Sequence, residues 1–138
     1  LTLSSGPLTA RFEAFGARLV FLSLEGGPNL VLSADPKAHP GWHDCYPGAI
    51  VGPVANRVRE GQITIASTPH QMERNENGVT CLHSGPDGLH ARLWQIVDCG
   101  QSDLILRCVL PDGACGLPGD RDIRAHFSLN ATTLRLTL

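Results

Sequence analysis

Residues 48–61 read Gly-Ala-Ile-Val-Gly-Pro-Val-Ala-Asn-Arg-Val-Arg-Glu-Gly, so an amide and a guanidinium, Asn56 and Arg57, directly follow a small apolar run. Such a run is expected to be buried, which makes the polar pair at its end conspicuous. Glycine opens dihedral space and proline closes it, so Gly48, Gly52 and Pro53 imply a fixed backbone path. A guanidinium held on such a bend offers a planar fork of donors to a hydroxyl-rich or planar ligand. The residues alone equally allow Arg57 to neutralise a carboxylate at the edge of a core. His83 is the other side chain with chemical promise. It stands between Leu82 and Ser84-Gly85, where a strand opens into a loop, and rigid scaffolds present chemistry at such positions. An imidazole with a reference pKa of about 6.5 can give or take a proton near neutrality. A structurally satisfied histidine is the competing reading. His70, His90 and His126 read as surface or packing residues.

Other chemistries fit poorly. His39 and His43 are four apart, with Asp44 and Cys45 beside the second, but Pro40 and Gly41 break the helix that would align them. No metal and no cofactor is expected. Gly113-Ala114-Cys115-Gly116-Leu117 superficially resembles a nucleophile elbow, yet an elbow needs a helix leaving it and Pro118-Gly119 stops one. Residues 48–61 lack the Gly-Lys-Ser/Thr ending of a phosphate-binding loop.

The elements that must position these residues are strands. The chain has 138 residues, enough for one domain with a true core. Its apolar fraction of 42% against 17% charged argues for a folded chain, and 15 glycines with 10 prolines argue for many short connections. The formal net charge of -2 supplies no basic field for nucleic acid. Five cysteines without a CxxC pair suggest free buried thiols in a reducing cytosol. No apolar run is long enough to cross a membrane as a helix, so a soluble cytoplasmic protein is expected. Strands are predicted at residues 8–12, 17–24, 29–32, 62–66 (half-buried), 69–73, 80–83, 91–97, 103–110, 122–129 and 133–138. Asn77-Gly78 marks a tight turn, Leu93 is expected to face opposite to Trp94, and residues 33–47 read as a loop packed by Trp42 and Tyr46. No helix of ten residues is defensible. The fold class is therefore all-β, a sandwich or open barrel. The last predicted strand runs into Leu138 with no turn after it, which implies either an unusual terminus or missing sequence.

Taken together, Gly48 to Val58 with Ala-Asn-Arg at 55–57, then Gly61, Asn75, Gly78, Leu82-His83-Ser84-Gly85, Asp87-Gly88-Leu89, Trp94, Leu110-Pro111-Asp112-Gly113, Gly116, Pro118-Gly119 and Thr133-Leu134 resemble the N-terminal half of the aldose 1-epimerase (galactose mutarotase) family. The resemblance spans residues 17–138. It implies part of a large, distorted antiparallel β-sandwich, with residues 1–138 the N-terminal portion of a single domain, incomplete at the C-terminus. It also implies a monosaccharide substrate whose α and β anomers are interconverted by acid/base opening of the ring. Asn56 and Arg57 would bind sugar hydroxyls, and His83 would be the catalytic residue near the ring oxygen. Pro47, Pro53 and Ser84 depart from the phenylalanine, arginine and glycine common at those positions. The family's principal acid histidine, in a Thr-x-His-x-Tyr motif, and its later aspartate and base glutamate find no counterpart in these residues. The chain alone is thus expected to be inactive and to need a complementary C-terminal half or a homo-oligomer. The alternative is a catalytically incomplete carbohydrate-binding protein.

Overall fold

The computed structural model describes residues 1–32 and 45–138. His39, Trp42, His43 and Asp44 lie outside the described residues. Eleven strands are present among the rest: β1 (Thr2–Ser5), β2 (Leu8–Glu13), β3 (Arg18–Leu24), β4 (Arg57–Arg59), β5 (Gln62–Ile65), β6 (Thr68–Gln71), β7 (Thr80–Leu82), β8 (Gln95–Cys99), β9 (Asp103–Leu110), β10 (Arg121–Asn130) and β11 (Thr133–Thr137). All pairings are antiparallel. One sheet has the order β1-β2-β3 and the other β11-β10-β9-β8, while β4-β7 and β5-β6 form two small ribbons.

The sandwich follows from alternation. In β2, Leu8, Ala10 and Phe12 are buried while Arg11 and Glu13 are exposed, and in β9 Leu104, Leu106, Cys108 and Leu110 share the inward face. Ala125, Phe127 and Leu129 do the same in β10. The two sheets meet where the Phe12 and Phe127 rings lie 4.5 Å apart, tilted by 46°. Fully burying one such side chain contributes about 1.5–3 kcal/mol. Trp94 is 1% exposed and closes one end of this core, its indole N–H donating to the Leu89 carbonyl at 3.0 Å. Leu93 beside it is 76% exposed, so the two do face opposite ways. A smaller cluster of Met72, Cys81 and Leu117 lies beneath the ribbons.

Several expectations need correction. Residues 29–32 form no strand, because the Asn29 side chain takes the edge of β3 instead. Its Oδ1 accepts from Leu22 N–H at 3.0 Å and its Nδ2 donates to the Val20 carbonyl at 3.1 Å. β5 is mostly exposed, with only Ile63 partly covered, because it pairs in a two-stranded ribbon that packs on little. β1 has no counterpart among the predicted strands, since its four residues carry only one buried position, Leu3. Cys81 and Cys108 are buried thiols, but Cys45 and Cys99 are exposed. Within residues 48–55, Ile50 and Gly52 are buried while Pro53 and Ala55 are exposed, so that run is only partly covered. Among the described residues no helix is long and apolar enough to cross a membrane.

Candidate functional site

Residues 52–56 are tied onto residues 83–89 by a ladder of unlike rungs. Leu89 N–H donates to the Gly52 carbonyl at 2.9 Å, and Val54 N–H donates to Ser84 Oγ at 2.7 Å. The Ser84 hydroxyl returns to the Val54 carbonyl at 3.1 Å. Finally, Asn56 N–H donates to His83 Nδ1 at 2.9 Å, while His83 N–H donates to the Asn56 carbonyl at 3.0 Å. Backbone conformation explains part of the sequence here. Asn56 has φ 63°, a left-handed value that asparagine tolerates better than most residues. It turns the chain so that Arg57 starts β4, where Arg57 pairs with Leu82 and Val58 with Cys81 across to β7. His83 and Ser84 follow β7 at φ 53° and 69°. Ser84, which stands where the resemblance expects glycine, is 1% exposed and carries the two hydrogen bonds to Val54.

All three predicted residues therefore gather at one end of the β4-β7 ribbon. Asn56 is exposed and His83 half-buried. Arg57 is engaged by a residue that sequence reasoning missed, Glu76. Arg57 Nε donates to one Glu76 oxygen and Nη2 to the other, both at 2.7 Å. The pairing holds Arg57 above and Glu76 below their ordinary ranges, in each case mainly through the hydrogen bonds between them. Glu76 sits at the base of the Asn77-Gly78 turn, whose two residues have φ 52° and 67°, as a tight hairpin turn requires. Arg57 thus neutralises a carboxylate, as one of its two readings has it, and it lies beside the other candidate residues.

His83 is held below the ordinary imidazole range, first by partial burial and then by the Arg57 guanidinium, with Glu76 pulling the other way. Burial and the guanidinium both favour the neutral ring. Since Nδ1 accepts a hydrogen bond from a backbone amide, the ring proton resides on Nε2. His83 and Tyr46 meet in a T-shaped pair, ring centroids 5.7 Å apart at 78°. Tyr46 in turn stacks on His90 at 4.1 Å. His90 is only 4% exposed, and its buried Nδ1 has no hydrogen-bond partner among the described residues. It is thus a packing residue rather than a surface one, and it packs against the ring that faces His83. Only its spacing from His83 in the turn could have hinted at this. His126, by contrast, lies on the outer face of β10, 3.0 Å from Asp103.

Tyr46, Asn75, Glu76, Asn77 and Leu82 line a recess of about 150 Å³ beside these residues. Pockets that enclose a small molecule usually measure about 300–1,000 Å³, so this recess is smaller than one that encloses a small molecule. A larger groove of about 410 Å³ crosses the outer faces of β10 and β11, between His126 and Arg135, and contains none of the three predicted residues. Cys115 does not sit in an elbow. Its turn, Ala114–Gly116, joins β9 to β10, and burial raises its thiol pKa, the opposite of activation. Among the described residues no group of three or more His, Cys, Asp or Glu could hold a metal.

Comparison with known proteins gives a consistent result. The family model described as aldose 1-epimerase matches residues 1–138. A probable aldose 1-epimerase from Arthroderma benhamiae is 29% identical over 95% of this chain, which covers 32% of that protein. The galactose mutarotase of Bos taurus is 33% identical over 64% of the chain, covering 25% of its own length. Among solved structures, an aldose epimerase homologue from C. elegans superposes with a TM-score of 0.82 at 27% identity, over 94% of this chain and 41% of that one. The chain thus spans well under half the length of these relatives.

Proposed function

Because this chain belongs to the aldose 1-epimerase family, we propose that it forms the sugar-holding wall of an enzyme that interconverts the α and β anomers of a free aldohexose. The hydrogen bond from Asn56 N–H to His83 Nδ1, 2.9 Å long, carries this reading. It leaves His83 neutral with a donor at Nε2, the state needed to hydrogen-bond a pyranose ring oxygen and stabilise charge developing there. In the reaction a base takes the proton of O1, the O1–C1 carbonyl forms and the C1–ring-oxygen bond breaks, and the ring oxygen takes a proton. Rotation about C1–C2 and reversal of these steps then give the other anomer. Asn56 and Arg57 would fix the sugar hydroxyls while this happens.

A free general base is what the described part of this wall does not offer. Glu76 is committed to Arg57, and His90 is buried under Tyr46. On this reading, turnover belongs to this chain together with a complementary portion of the domain that brings the base. The same observation favours the second reading, a carbohydrate-binding protein without turnover. Polarimetry of α-D-glucose mutarotation separates the two. The 138-residue chain is expected to add nothing to the buffer rate, and a protein that joins it to the remainder of the domain to accelerate it. Proportional acceleration by the short chain alone would overturn the division of labour. Sugar binding by both forms without acceleration by either would establish the second reading.

A further inference from the structure

We propose that Glu76 is a specificity-determining residue, which occupies the Nε–Nη2 edge of Arg57 and, by cancelling its charge, turns the recess against phosphorylated sugars. The inference rests on the sugar-site reading above and extends it to a residue that reading does not use.

The geometry is that of a clamp. Glu76 is carried on a hydrogen-bonded hairpin base, its N–H donating to the Thr80 carbonyl at 3.0 Å and its carbonyl accepting from Thr80 N–H at 3.1 Å. Each carboxylate oxygen then takes a different nitrogen of Arg57, Nε or Nη2. A guanidinium gripped on its Nε–Nη2 edge keeps three of its five N–H donors, two on Nη1 and one on Nη2. The carboxylate itself remains 27% exposed and lines the recess with Tyr46 and Asn75. A carboxylate oxygen has a second lone pair, so Glu76 can hold Arg57 and still accept from a hydroxyl. Donor and acceptor side by side suit two adjacent sugar hydroxyls, one accepting from Nη1–H and one donating to Glu76.

The same clamp withholds Arg57 from anions. A lone guanidinium would bind a phosphate through its charge and two parallel hydrogen bonds, but here the Glu76 carboxylate fills the Nε–Nη2 edge, cancels the charge and would repel the anion. Stability does not require the arrangement, because ion pairs this exposed contribute little. A selective pocket is the better account of its geometry.

Titration of the full chain and its Glu76→Gln and Glu76→Asp variants with D-galactose and with D-galactose 6-phosphate, followed by amide NMR shifts, tests the proposal. The unaltered chain should favour the free sugar. Glu76→Gln keeps the length and removes the charge, and should move the affinity ratio toward the phosphorylated sugar by roughly tenfold, the effect of one unit charge at a partly exposed site. Glu76→Asp keeps the charge and should keep the original preference. An unchanged ratio in Glu76→Gln overturns the inference while leaving the sugar site standing. Failure of either sugar to bind any form overturns the sugar site and this inference with it. If Glu76→Gln does not fold, the unaltered chain still decides, since an equal or higher affinity for the phosphorylated sugar overturns the inference.

Discussion

His83 and Asn56 are joined twice, the backbone N–H of Asn56 entering the imidazole at Nδ1 over 2.9 Å and the backbone N–H of His83 returning to the Asn56 carbonyl over 3.0 Å. A side chain that accepts from a backbone amide cannot choose its tautomer freely. The expected ¹⁵N spectrum at pH 7.5 is that of a neutral ring protonated at Nε2, and a ring protonated at Nδ1 would sink the assignment. In a protein carrying the whole domain, His83→Phe should lower the mutarotation rate by roughly 10²–10⁴-fold, the usual contribution of a proton-transferring group. The thermal midpoint should move little, because the Asn56 N–H is exposed and water replaces the lost acceptor.

Ser84 supports this pair from below. Its hydroxyl holds both polar groups of Val54, at 2.7 and 3.1 Å, within a site 1% exposed to solvent. Ser84→Ala leaves Val54 N–H without its partner and should cost about 1–3 kcal/mol in urea unfolding. Ser84→Gly loses the same bonds but relieves a left-handed φ of 69°, a gain of roughly 1 kcal/mol. The glycine variant should therefore unfold at a higher urea midpoint than the alanine variant. The reverse order would show that the backbone here is not constrained as described.

The residues that a local pattern can reveal were legible, and those brought in from elsewhere were not. Strand β9 could be read at its observed bounds because Leu104, Leu106, Cys108 and Leu110 alternate with polar or exposed neighbours. Asn56, Arg57 and His83 stand in motif-like surroundings that survive without any knowledge of contacts. Glu76 had no such surroundings. Nineteen residues separate it from Arg57, and nothing in a glutamate before Asn-Gly announces a clamp. The missing strand at 29–32 shows the limit from the other side: an amide side chain can satisfy a sheet edge as a strand would, and hydropathy does not register the difference.

Arg57 should be intolerant of lysine even though the charge is kept. A primary ammonium cannot make two parallel bonds to Glu76 and still offer a third, oriented nitrogen. Arg57→Lys is expected to weaken sugar binding by about tenfold or more, the loss of one or two charge-assisted hydrogen bonds. Folding should be nearly unaffected, since the side chain is 59% exposed. Isothermal titration against D-galactose, with circular dichroism as the folding control, measures both. Binding by the lysine variant equal to that of the unaltered chain would mean that Arg57 acts only through its charge.

His90 makes the fold sensitive to acid. Its ring is held below the ordinary imidazole range, first by burial and then by His83 and Arg18, and His83 is lowered as well. For a histidine depressed in the folded state, the unfolded chain binds the proton first. Stability is therefore fully present above about pH 6.5, the unfolded value, and is lost as pH falls from there toward the lower folded values. The thermal midpoint should be flat between pH 8 and 7 and fall between pH 6.5 and 5. In His90→Leu, which has no proton to take up and no orphaned Nδ1, the fall should be smaller. At pH 7.5 the same variant should lie within about 1 kcal/mol of the unaltered chain, because removing an unpartnered buried nitrogen offsets the lost stack on Tyr46. An unchanged acid slope in His90→Leu would assign the sensitivity to His83 or to the carboxylates, leaving His90 as a packing residue alone.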